Sequence, residues 1–90
     1  MGPAIYGFAY SEKALAYLRT IPAKFARQII KKTEALASDP YPPTAKLLQE
    51  TKNDPEPVRR IRSGDYRILY VVRETTIVIL DIDHRKDIYR

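Results

Sequence analysis

Ninety residues with a formal net charge of +5, 44% of them hydrophobic and 30% charged, have the composition of one small globular domain, not of a disordered chain. The lack of cysteine excludes a disulfide framework and a thiolate metal site, and a single histidine excludes a multi-histidine metal centre within one chain. No apolar run approaches the ~20 residues of a membrane span and no signal peptide is visible, so residues 1–90 are expected to form one cytoplasmic domain whose basic balance suits a polyanion, nucleic acid first.

Ile5–Tyr10 reads as a short strand with Ile5, Phe8 and Tyr10 as packing residues. Ser11 is a good N-cap, and Glu12 sits in the first turn where negative charge is favoured. The helix Glu12–Arg19 places Ala14, Leu15 and Leu18 on one stripe. Pro22 opens a second helix running to about Ala37. Phe25, Ile29 and Leu36 line one face of it, widened by Ala26, Ile30, Thr33 and Ala37. Asp39-Pro40-Tyr41-Pro42-Pro43 stops that helix. From there to Pro57 the chain reads as a long loop, docked by Leu47 and Leu48, with Lys46 beside them pointing into a site or into water.

Three strands follow. Val58–Arg62, Tyr66–Val72 and Thr76–Ile82 are rich in β-branched and aromatic residues and are joined by two tight turns. Gly64-Asp65 suits a type II′ hairpin, which sets Arg62 opposite Arg67, Ile61 opposite Ile68 and Arg60 opposite Leu69. Ile61, Tyr66, Ile68, Tyr70 and Val72 then share one face, and Arg60, Arg62 and Arg67 the other. A second turn at Glu74-Thr75 pairs Arg67 with Ile82 and brings His84 to the arginine face; a slip of one residue there sends His84 to the opposite face. The order is β-α-α-β-β-β: an α+β domain with two N-terminal helices on one face of a mainly antiparallel four-stranded sheet. Its arginine face is either a solvated surface whose long stems cover apolar area or an anion site, since guanidinium groups suit bidentate phosphate contacts.

The element order, the Lys46-Leu47-Leu48 segment, the hairpin from Arg60 to Tyr70 and the ending His84-Arg85-Lys86-Asp87-Ile88-Tyr89-Arg90 resemble the RelE branch of the RelE/ParE toxin superfamily over essentially the whole chain. The resemblance implies the toxin of a type II toxin–antitoxin system. It implies an endoribonuclease that cuts mRNA in the 30S A site of the ribosome, needs no metal or other cofactor, and is held inactive by a RelB-like antitoxin. It carries over to Arg67, Arg85 and Tyr89, with Lys46 matching a lysine of the preceding loop.

Chemistry gives these residue types a use. The RNA 2′-hydroxyl can attack the adjacent phosphorus in line, which requires a proton acceptor, charge stabilisation on the phosphorane and protonation of the leaving oxygen. Arg67, fixed on a strand, suits charge stabilisation; Arg85 suits the phosphate or leaving group; Tyr89 suits stacking on a base or orienting the 2′-hydroxyl. Arg60, Arg62 and Lys86 add RNA-binding charge. His84 is either an acid or base or a strand-ending hydrogen-bond partner. The chain departs from the RelE pattern in carrying arginines, poor bases, where lysines supply proton transfer on the strand before the turn. The base is open among His84, Lys46 and a ribosomal group, and no Glu-His pair is evident. A ParE-like inhibitor of DNA gyrase and a non-catalytic basic RNA- or protein-binding module are the alternatives. An acidic amphipathic helix or extended antitoxin segment would suit the basic face with its Leu69, Val71, Val78 and Leu80.

Overall fold

Residues 6–84 are described by the computed structural model, and in them Ser11 settles how the chain leaves its first strand. β1 (Gly7–Tyr10) ends there, and the Ser11 side chain accepts from the Ala14 backbone N–H at 3.0 Å, capping α1 (Glu12–Thr20). α2 (Ala23–Ala35) follows Pro22 directly, as the proline predicts. Then come β2 (Lys46–Leu47), a 3-10 turn at Gln49–Thr51, β3 (Arg59–Ser63), β4 (Tyr66–Arg73) and β5 (Thr76–His84).

The sheet has five strands in the order β1-β5-β4-β3-β2, with β1 parallel to β5 and every other pairing antiparallel. The expected four-stranded sheet gains an edge strand because the supposed loop pairs with β3, Lys46 opposite Arg60 and Leu47 opposite Arg59. That segment is tied further by Leu48 N–H to the Val58 carbonyl at 2.9 Å and by Val58 N–H to Thr51 Oγ1 at 2.9 Å. Arg73, at the end of β4, grips Glu56 through both carboxylate oxygens, which holds that carboxyl below its ordinary range.

Both helices cover one face, where Ala14, Ile29 and Leu36 pack on Ile61, Ile68, Tyr70, Ile77, Ile79 and Ile82. Each buried isoleucine contributes about 1.5–3 kcal/mol. Tyr70 is wholly buried and donates to the Pro40 carbonyl at 2.8 Å, anchoring the stop of α2 against the sheet. Thr33 is also fully buried; its hydroxyl donates to the Ile30 carbonyl, so Tyr10 supplies the proton in the 2.5 Å contact between the two hydroxyls. Three expected packing positions turn outward, Phe8 at 36% exposed and Leu15 and Ile30 at 39% each, while Tyr10, Tyr17, Leu18 and Phe25 pack against the core; Ile5 lies outside the described residues. Leu47 is exposed as well, and Leu48 alone of the two leucines is half-buried.

The Gly64-Asp65 turn forms as read, with Gly64 at φ +60° and Ser63 opposite Tyr66. The second turn is also Glu74-Thr75, with Arg73 opposite Thr76. The register nevertheless shifts by one between Leu69 and Tyr70, where β5 carries an extra residue: Tyr70 pairs with Ile79 but Leu69 pairs with Asp81. Leu80 is the residue skipped, and its carbonyl accepts from the Ser11 hydroxyl at 2.6 Å. Beyond this bulge the predicted pairing of Arg67 with Ile82 is wrong. Arg67 faces Asp83, Tyr66 faces His84, and His84 lies on the helix-covered side instead of the arginine side.

Candidate nucleic-acid interface

The face opposite the helices is organised in cross-strand rows. One row runs Arg62, Arg67, Asp83; the next on the same face runs Lys46, Arg60, Leu69, Asp81. Charge therefore changes sign across the sheet, basic on β2 and β3 and acidic on β5, with Arg67 at the boundary. Around these rows Val71 is buried and Leu69, Val78 and Leu80 are half-buried, so the face is less apolar to solvent than the sequence suggests.

The basic end forms a pocket of about 340 Å³ lined by Lys32, Thr44, Lys46, Arg60 and Arg62. Four cations and a hydroxyl line it, an arrangement that favours an anion. Burial, with the charges of Arg62 and Arg67, pushes Arg60 below the usual arginine range, and its Nε is buried without a hydrogen bond. The pocket thus joins three of the expected RNA-binding residues, Lys46, Arg60 and Arg62, and adds Lys32 and Thr44 to them.

Arg67 has a different neighbour. Its Nε lies 3.6 Å from Asp83 Oδ1, an ion pair too long for a hydrogen bond, and both atoms are buried with no other hydrogen-bond partner. Asp81 is drawn away from the row: Lys13 Nζ on α1 sits 3.2 Å from its Oδ2, and the Ile82 N–H donates to its Oδ1 at 2.8 Å.

His84 is not in this cluster. Its ring meets Tyr66 edge-on at 5.1 Å, Tyr66 packs on Phe25 and Tyr17, and His84 Nε2 is 4.0 Å from Asp65 Oδ2. The histidine closes an aromatic cluster at the end of the sheet. Arg85, Lys86 and Tyr89 lie outside the described residues. Asp83 is the member of the cluster that the sequence did not reveal. Its alternation with Asp81 was visible, but its face depended on the bulge.

Among the described residues no group of three or more histidine and carboxylate side chains is placed to hold a metal ion, and no helix is long and apolar enough to cross a membrane.

Comparison with known proteins gives a consistent picture. Residues 8–89 match the family model described as the ParE toxin of type II toxin–antitoxin systems. Toxin RelG of Mycobacterium tuberculosis is 58% identical over 31 residues, a match spanning 32% of this chain and only 36% of that protein's own length. The RelBE2 toxin–antitoxin complex of the same organism contains a chain similar to this one with a TM-score of 0.73 and 26% identity, over 90% of this chain and 99% of that one. A chain of the RelE–RelB complex of Pyrococcus horikoshii superposes with a TM-score of 0.78 at 23% identity, covering 90% and 96% of the two chains. The isolated Escherichia coli RelE toxin gives a TM-score of 0.72 at 20% identity, over 88% of this chain and 83% of that one.

Proposed function

The chain belongs to the ParE toxin family of type II toxin–antitoxin systems, within the RelE/ParE superfamily, and from that premise we propose that it acts as a RelE-type toxin that cuts messenger RNA on the ribosome. The observation that carries this reading is the row Arg62–Arg67, held by strand pairing beside a pocket of four further or shared cations. A positively charged, backbone-fixed surface of this kind suits phosphate contacts and charge that develops on a phosphorane.

In the proposed reaction the RNA 2′-oxygen attacks phosphorus, the bond to the 5′-oxygen breaks, and a cyclic phosphate and a 5′-hydroxyl result. Arg67 stabilises the phosphorane. Arg60, Arg62 and Lys46 hold the flanking backbone. Arg85, Lys86 and Tyr89 complete the site by the family resemblance. His84 is turned from the arginine face, so Lys46, a ribosomal group or a group of the tail serves as proton acceptor. An acidic antitoxin segment, related to the RelB partners of the similar complexes, is proposed to cover the same face and to bind in a salt-dependent manner.

The test is cleavage of a defined mRNA with and without programmed ribosomes, comparing wild type with Arg67→Ala. Cuts within codons only on ribosomes, lost in the variant, support the proposal. A second reading, inhibition of DNA gyrase, is favoured by the name of the matching family model. It is supported instead if the folded, antitoxin-free protein cuts nothing and blocks supercoiling.

A further inference from the structure

Resting on the RNA-cutting reading, we infer that Asp83 is a positioning residue that acts as the resident anion of Arg67, occupying its guanidinium in the free protein until a substrate phosphate displaces it. Three observations converge. The bulge at Leu80 sets Asp83 directly opposite Arg67, where a regular strand would have set Ile82. The two charged groups stand 3.6 Å apart, and neither Arg67 Nε nor Asp83 Oδ1 has a hydrogen bond, so the pair is oriented but not locked. Finally, Asp83 has somewhere else to go. It also lines a groove of about 430 Å³ between α1 and β5, with Lys13, Ala16, Tyr17, Thr20, Asp81 and Ile82.

The chemistry of the row explains why such an anion is useful. Arg67 faces Arg62 on one side, and two like charges directly opposite each other repel. Asp83 offsets that repulsion and holds the guanidinium across the sheet from Arg62. A phosphate, carrying more negative charge and more acceptor oxygens, replaces the carboxylate, which rotates toward the Lys13 side of the groove. Weak or badly placed anions do not recover the lost ion pair. Asp83 thereby raises the threshold for occupying Arg67 and sharpens selection for a phosphate held at the correct position by the neighbouring cations.

The probe is inorganic phosphate, titrated into the isolated protein while the Nε–Hε resonances of Arg60, Arg62 and Arg67 are followed by NMR, those of Arg60 and Arg62 reporting in Arg67→Ala. Asp83→Asn keeps the shape and removes the charge; Asp83→Ser removes the charge by a different route; Asp83→Glu restores it. Both uncharged variants are expected to bind phosphate about three- to tenfold more tightly than wild type, and Asp83→Glu to return toward wild type. A merely structural aspartate would give weaker or unchanged binding on substitution. That outcome, with Arg67→Ala still abolishing the response of the site to phosphate, overturns the role of Asp83 and leaves the cleavage reading standing. Phosphate binding undiminished in Arg67→Ala overturns both, because Arg67 is then not the phosphate ligand.

Discussion

The Ser11 hydroxyl donates to the Leu80 carbonyl across 2.6 Å, and that contact fixes the extra residue in β5 that turns Asp83 toward Arg67. The same oxygen caps α1 through the Ala14 N–H. One side chain thus ties the start of a helix to the register of a strand on the far side of the sequence.

Ser11→Ala removes both contacts. It is expected to destabilise the fold by about 1–3 kcal/mol, the sum of a lost cap and an unsatisfied bulge carbonyl. Urea unfolding measures this, and a loss below about 0.5 kcal/mol would show that neither contact matters.

Glu74 holds φ +55° in the second hairpin turn, a backbone state that a residue with a Cβ occupies at a cost. Glu74→Gly relieves that cost and gives back part of it as unfolded-state freedom. The expected net gain is about 0.5–1 kcal/mol, seen as a higher urea midpoint. An unchanged or lower midpoint would mean that the turn carries no strain.

Tyr70 is fully buried, and burial, outweighing the nearby Arg59, raises its hydroxyl to about 12. The unfolded tyrosine ionises near 10, so between pH 10 and 12 the folded state holds a proton that the unfolded state has lost. Its contribution is full below pH ~10 and falls as the pH climbs to ~12, by about 2–3 kcal/mol in all. Stability curves from pH 9 to 12 should show a steeper fall for wild type than for Tyr70→Phe. Parallel curves would exclude Tyr70 as the source.

Arg62 directly faces Arg67 on the open side of the sheet. Arg62→Gln should raise stability by about 0.2–1 kcal/mol while lowering mRNA cleavage at least severalfold. Thermal unfolding and the ribosomal cleavage assay are read on the same preparation. A variant both more stable and fully active would place Arg62 outside the site.

Much of this fold could be read locally. The cap at Ser11, the proline opening α2, the type II′ turn at Gly64 and the sharing of one face by Arg60, Arg62 and Arg67 all rest on neighbours in sequence, and all appear in the structure. What escaped depended on distant partners. Lys46 and Leu47 carry no strand pattern of their own and become β2 because β3 offers them an edge. The turn at Glu74-Thr75 is legible in the sequence, yet the face of His84 is not, because it follows from a bulge at Leu80 that meets a serine 69 positions away. Leu15 and Ile30 follow helical spacing but lie at the exposed margins of their faces, while Tyr17, Leu18 and Phe25 pack against the core.

The parallel pairing of β1 with β5 has a consequence for the order in which the molecule comes into being. Gly7 pairs with Thr76 and Tyr10 with Ile79, so the first of the described strands finds its neighbour in the last of them. Such distant pairings are slow to close. During synthesis β1 and α1 wait for β5 to emerge, and the contact of Ser11 with the bulge at Leu80 is made only then. The row from Arg62 through Arg67 to Asp83 is therefore among the last features of the described residues to be assembled, after both strands that flank β4 have been made.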